Sequence, residues 1–262
     1  MDNFTKLIEE YPEDYCLYLE ATYSEGMMSE GGKEAVDNMF NDIDLRNKTL
    51  LDIGFGLGGV VLYLADKHDA NVTGIELNPW MVQEATRRTP EKLKSRAKFI
   101  QYEKPPLLPL EDNTFDIVYS KGVLTHLDDK TLLFKEVYRV LKPHGLFIID
   151  DWLSPTKGCW GERLQKMCEM ENLTLFAETE VNYIKLLRDS GFSNVAIRDE
   201  NKNYARYNED IVAHLKSADY AKTFVDKFGE KAWQESIECY QLTADSIKDN
   251  ELLIRRLKAE KA

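Results

Sequence analysis

"TLLDIGFGLGGVVLYLADKHDANVTGIELN", Thr49 to Asn78, joins an apolar run to a G-x-G-x-x-G at Gly54, Gly56 and Gly59, then a helical stretch, then a second apolar run ending on Glu76. Strand, glycine turn, helix and strand in that order make one unit of a parallel sheet, because a parallel partner is reached only through a crossover. The pattern repeats outward. "TLLDI", "NVTGIE", "AKFIQY", "FDIVYS" and "GLFIID" read as strands, with helices near 58–67, 79–88 and 130–140 between them. "NVAIRD", Asn194 to Asp199, reads as a sixth strand after the helix "TEVNYIKLLRDSGF", whose Gly191 stands where a helix-terminating glycine belongs. This alternation predicts an α/β fold with a parallel sheet covered by helices on both faces.

The flanks follow a different period. Val36, Met39, Phe40 and Ile43 recur at helical spacing behind the polar "SEGGKE", so residues 1–47 are expected to form an N-terminal helical cap segment. Residues 48–200 then form the Rossmann-like core. Residues 201–262 are expected to form a C-terminal cap, with Ile211, Leu215, Phe224, Phe228, Trp233, Ile237 and Tyr240 supplying an apolar helical side. The last stretch, "LLIRRLKAEK", suits either a helix end or a strand.

At 262 residues the chain is long enough for one large core with insertions. Its 34 Lys and Arg face 46 Asp and Glu, a net charge of −12 with no basic patch, so no nucleic-acid partner is expected. No run approaches the roughly 18 apolar residues of a membrane span, and "MDNFTKLIEEYPEDY" lacks the basic start of a secretory signal; a cytoplasmic protein without a membrane partner is expected. Cys16, Cys159, Cys168 and Cys239 show no metal spacing and read as buried thiols, and His68, His126, His144 and His214 are scattered, so no metal is expected. Composition leaves the oligomeric state open.

The glycine loop alone does not choose its ligand, since any strand-to-helix turn that approaches a ligand closely favours glycine. Asp52, two residues ahead of Gly54, does discriminate. A pyrophosphate at the helix N-terminus would be repelled by that carboxylate, whereas the sulfonium and ammonium of S-adenosylmethionine would be attracted. Glu76 at the end of the second strand can accept both hydroxyls of a ribose, which suits either ligand.

The residues "LLDIGFGLGG", "VTGIELNPWMV", "FDIVYSKGVLTHLDD" and "EVYRVLKPHGLFIIDD" resemble the successive motifs of class I S-adenosylmethionine-dependent methyltransferases. "SEGMMSEGG", "YSKGVLTHLD" and the helical C-terminal third resemble the phosphoethanolamine N-methyltransferases over nearly the whole chain. The resemblance implies a mostly parallel seven-stranded sheet with a helical cap, an antiparallel last strand, and S-adenosylmethionine as the methyl donor. It places Met28, Ser29, Asp52, Gly54, Gly56, Glu76, Leu77, Ser120 and Lys121 at the donor, and pairs Tyr11 with His126 over donor and acceptor as the catalytic residues.

Two departures from the family pattern carry information. Where those relatives use tyrosines, an arginine and a lysine for the acceptor phosphate, this chain has Trp152, Met167, Glu171, Leu173 and Ser246. Glu171 reverses a charge, so a cationic or neutral acceptor is expected, with Trp152 offering a cation–π face. The second departure is Lys104, at the position of the aspartate that accepts from the adenine amino group; a lysine cannot accept, and the adjacent Glu103 is expected to take over. The expected activity is methylation of a small molecule at an amine nitrogen rather than of a phosphobase. Phosphoethanolamine methylation, O- or C-methylation, and a non-enzymatic sensor of the same ligand are the alternatives.

Overall fold

The computed structural model describes residues 3–103 and 105–262. Three short helices, α1 (Asn3–Glu10), α2 (Glu13–Tyr23) and α3 (Gly32–Met39), precede the first strand, β1 (Thr49–Ile53). The expected alternation follows as α4 (Gly59–Lys67), β2 (Asn71–Glu76), α5 (Pro79–Arg88), β3 (Ala97–Gln101), β4 (Phe115–Lys121), α6 (Thr131–Val140) and β5 (Leu141–Leu153). Next come α7 (Glu162–Glu171), α8 (Glu180–Asp189) and β6 (Phe192–Asp199), then the helices α9 (Asn201–Leu215), α10 (Ala218–Phe228) and α11 (Glu230–Lys248), and last β7 (Leu253–Lys261). Nothing in the apolar spacing singles out α7, whose buried side is only Leu164 and Met167.

The seven strands run in the order β3-β2-β1-β4-β5-β7-β6. β7 alone is antiparallel, inserted between β5 and β6. That decides the ambiguous tail: with a partner on each side, "LIRRLKAEK" satisfies its backbone as a strand. The fold is therefore the Rossmann-like class I methyltransferase fold expected from the motifs.

Side chains alternate along each strand, so the sheet feeds two cores. Leu51, Ile53, Val118, Phe147 and Ile149 pack with α6 and α8 residues such as Phe134 and Tyr183. Leu50, Ile117, Tyr119 and Ile148 pack on the other face with α3, α4 and α5, through Val36, Leu64 and Ala85. Among the cysteines, Cys16 and Cys239 are buried as expected, but Cys159 is exposed, because it lies in the turn closed by the Thr156–Cys159 bridge rather than in a packed element.

One buried cation joins sheet and cap. Arg256 of β7 donates from Nε and Nη2 to the two carboxylate oxygens of Asp150 on β5, at 3.1 and 2.8 Å. Its Nη1 donates to the Asn38 carbonyl of α3 at 2.7 Å and lies 3.0 Å from Glu200, which precedes α9. Tyr204 of α9 closes the group by donating to Asp150 at 2.9 Å. Arg256→Ala would leave Asp150 buried without its partner, and chemical denaturation is expected to show a loss of about 3–5 kcal/mol.

Candidate active site

A cleft opens at the carboxyl ends of β1 and β4, where the strand order reverses and α/β sheets bind ligands. Its floor is the glycine loop. Gly54 and Gly56 have φ of +77° and +57°, and a Cβ on Gly54 would stand 2.6 Å from a Val123 methyl. The third glycine answers to a different neighbour: the Gly59 amide donates to the Gly26 carbonyl at 3.0 Å, and a Cβ there would stand 2.4 Å from that oxygen. The third glycine thus serves close packing, here against the chain's own N-terminal segment. Met28 of the same segment covers Gly56, and Cys16 of α2 packs with Leu57 and Met81.

Two acids border the cleft beside the loop. Asp52 is buried and accepts from the Tyr119 hydroxyl at 2.8 Å. Burial pushes its carboxyl up to about 7, against the pull of that hydrogen bond, with Glu76 adding to the rise and Lys121 opposing it. A carboxylate held in this state favours a cation brought in by a ligand. Glu76 accepts from the Gly56, Leu77 and Asn78 amides at 3.1, 2.8 and 3.1 Å, which fixes it at the end of β2. A ligand with a cation at one end and a vicinal diol beside it fits this pair. Lys121 lines the cleft and donates to Ser29 Oγ at 2.7 Å and the Glu30 carbonyl at 2.9 Å, so it ties the N-terminal segment down.

Tyr11 and His126, 115 residues apart in sequence, meet at the cleft: the Tyr11 hydroxyl lies 3.2 Å from His126 Nε2. Burial lowers the imidazole pKa to about 4, so it is neutral at physiological pH. The Tyr11 phenol is raised by burial first and by Glu10 second, and stays protonated.

Of the residues assigned to the donor from sequence, Met28, Ser29, Asp52, Gly54, Gly56, Glu76, Leu77 and Lys121 border the cleft. Ser120 is buried within β4 and Glu103 is exposed; neither borders it. Lys104 lies outside the described residues. Glu171 and Trp152 also lie away from the cleft walls. Glu171 accepts from the Tyr15 hydroxyl at 2.5 Å and faces Tyr18, Tyr240 and Cys239. Trp152 packs against the apolar cluster of Trp160, Leu164 and Met167. Sequence reading passed over Asn78, whose amide nitrogen donates to the Tyr11 carbonyl at 2.9 Å while its oxygen caps α5. The Asn-Pro pair at a helix start was the available signal. Among the described residues, no group of three metal-ligating side chains comes together, and no helix is long and apolar enough to cross a membrane.

The family described as "Methyltransferase domain" matches residues 51–149, from β1 through most of β5. A phosphoethanolamine N-methyltransferase of Plasmodium falciparum is 30% identical over 227 residues, covering 85% of this chain and 82% of that protein. One of Triticum aestivum is 30% identical over 200 residues, 75% of this chain but 39% of the longer plant protein. Among solved structures, a Haemonchus contortus phosphoethanolamine N-methyltransferase in complex with phosphomonomethylethanolamine and S-adenosylhomocysteine has a TM-score of 0.86 at 19% identity, covering 98% of this chain and 60% of that one. The cleft, its acids and these relatives agree, and the chain belongs to the phosphoethanolamine N-methyltransferase family of class I S-adenosylmethionine-dependent methyltransferases.

Proposed function

We propose that this enzyme methylates a small amine at nitrogen and that the preferred amine carries no phosphate. Glu171 carries the second half of that reading. It is half-buried, receives a tyrosine hydroxyl, and has no ion-pair partner among the described residues. Tyr15, Tyr18 and Tyr240 around it offer ring faces and neutral hydroxyls, and burial keeps all three phenols protonated. Such a setting favours a cation and opposes an anion, and a phosphate turned toward Glu171 would meet a like charge in low dielectric. In this reading residues 1–47 and 201–262 form the cap over a core of residues 48–200, and the acceptor lies between them. The phosphobase reading is supported by the names of the relatives and by Lys121, the one lysine or arginine among the described residues lining the cleft.

S-adenosylmethionine supplies a methyl carbon already activated by its sulfonium, so the protein's work is to bind, align and manage one proton. An alkyl amine with a pKa near lysine's, about 10.4, is protonated in water and has no free lone pair. His126 is positioned to take a hydrogen bond from the amine, with Tyr11 closing the site. Its low pKa leaves the base form complete above about pH 5, so the amine's own ionisation governs the pH dependence.

Four outcomes are expected. His126→Ala should lower turnover by about a hundredfold or more with donor affinity little changed, and Tyr11→Phe should be milder. The wild-type rate should rise with pH along the amine's titration, with no inflection from His126 above about 5; a radiolabelled-donor assay over small amines, phosphobases and phenols reads both. Efficient turnover of phosphoethanolamine would defeat the acceptor reading, and Glu171→Arg should improve phosphobase binding if that side chain faces the acceptor. The fourth outcome concerns Asp52. Its folded pKa of about 7 exceeds the ordinary 3.8, so the ligand-free fold holds a proton that the unfolded chain has shed, and stability declines as pH rises across that window. A cationic donor reverses the preference. Calorimetry in buffers of different ionisation enthalpy at pH 7 should show release of on the order of half a proton on donor binding, absent in Asp52→Asn.

A further inference from the structure

Tyr11, just ahead of α2, and Tyr15, in its first turn, pack ring against ring with centroids 5.6 Å apart and planes inclined at 49°. Their hydroxyls have different partners. Tyr11 meets His126 Nε2 at 3.2 Å beside the cleft, while Tyr15 donates to Glu171 Oε2 at 2.5 Å. The two rings thus join a neutral base at one end to a carboxylate at the other. That carboxylate is felt at the first phenol as well, since Glu171 helps raise Tyr11 after burial, Glu10 and Cys16. Beyond Tyr15 the rings continue to Tyr18, with centroids 6.0 Å apart, and Tyr240 of α11 adds another phenol facing Glu171.

An acid among neutral phenols, with no ion-pair partner among the described residues, is short of one positive charge. The reacting nitrogen of an acceptor cannot supply it, because that nitrogen must be uncharged to attack. We propose that the acceptor is a linear diamine, whose free nitrogen meets His126 while its second nitrogen, an ammonium, binds Glu171 across the faces of Tyr11 and Tyr15. The inference rests on the amine reading of the same site. An ammonium over phenol faces gains a cation–π attraction besides its ion pair. An extended chain advances about 1.25 Å per bond, so three or four methylenes set the nitrogens roughly 5 to 6 Å apart. That span matches the 5.6 Å step from one ring to the next. The ammonium also lowers the pKa of its partner nitrogen, which eases formation of the species with one free amine. Transfer forms an N–C bond as the donor's S–C bond breaks with its electron pair left on sulfur, and the positive charge passes to nitrogen.

The full-length protein and a radiolabelled donor test this with the three- and four-carbon diamines, butylamine, aminobutanol and phosphoethanolamine, rates being referred to the free-amine fraction. In wild type, kcat/KM for the diamines should exceed that for butylamine and aminobutanol at least tenfold, the worth of one charged hydrogen bond. Glu171→Gln should lower that ratio at least fivefold while its affinity for S-adenosylhomocysteine, read by calorimetry, shows the fold intact. Calorimetry on the wild-type S-adenosylhomocysteine complex reads binding apart from turnover, and the diamines should bind at least tenfold tighter than butylamine. A wild-type preference below tenfold in either assay overturns the inference without recourse to the variant. So does a ratio that Glu171→Gln leaves within fivefold, including equal losses on every amine. Methylation of monoamines without the preference would leave the amine reading standing, whereas methylation of phosphoethanolamine alone would take both down.

Discussion

An arginine that is 7% exposed needs its partners wherever they come from in the chain, and Arg256 draws them from three places. Asp150 supplies the fork, Glu200 a second carboxylate, Asn38 a carbonyl, and Tyr204 steadies Asp150 from α9. The central sheet, the last of the N-terminal helices and the first of the C-terminal ones are thereby held at one point. Asp150 stands at the carboxyl end of β5, and its carbonyl accepts from Gly122 in the loop after β4, so the same point steadies the cleft wall. Two stretches far apart in the sequence are held to the sheet together because one charge cannot be left unmatched in a low dielectric.

The glycine loop shows how a shared motif serves different ligands. Its first two glycines do what such turns require, adopting positive φ beneath a close neighbour. The third makes room for backbone from the chain's own N-terminal segment, and its amide donates to the Gly26 carbonyl. With Asp52 buried beside the loop, the cleft presents an acid where a dinucleotide would bring its pyrophosphate. Lys121 reinforces the arrangement by fastening Ser29 and Glu30 of the same segment.

Burial sets the chemistry of the Tyr11–His126 pair. His126 is kept neutral by the loss of water around it, and Tyr11 beside it is kept protonated by the same cause. Neither group can serve as a charge; both can accept or donate a hydrogen bond. Glu171, walled by phenols, has no ion-pair partner among the described residues, and the proposed preference for an amine without phosphate rests on it.

The sheet, its crossovers and the helices flanking β1 to β5 were legible in the sequence, because strand and helix periods are local properties of side-chain alternation. So were Asp52, the glycines and Glu76, since a strand-to-helix turn places them in space at once. Pairing of Tyr11 with His126 came only from the family resemblance. The tail's identity as β7 needed partners on both sides, which no local pattern encodes. Glu103, expected near the adenine amino group, is exposed and does not border the cleft, while the adjacent Tyr102 is buried, because neighbouring positions along an extended chain face opposite ways. Sequence by itself determined which residues alternate and where the backbone can turn. The choice of which polar groups lose their water, and must therefore find a partner or a ligand, belonged to the tertiary structure, because burial is a property of the whole packed chain.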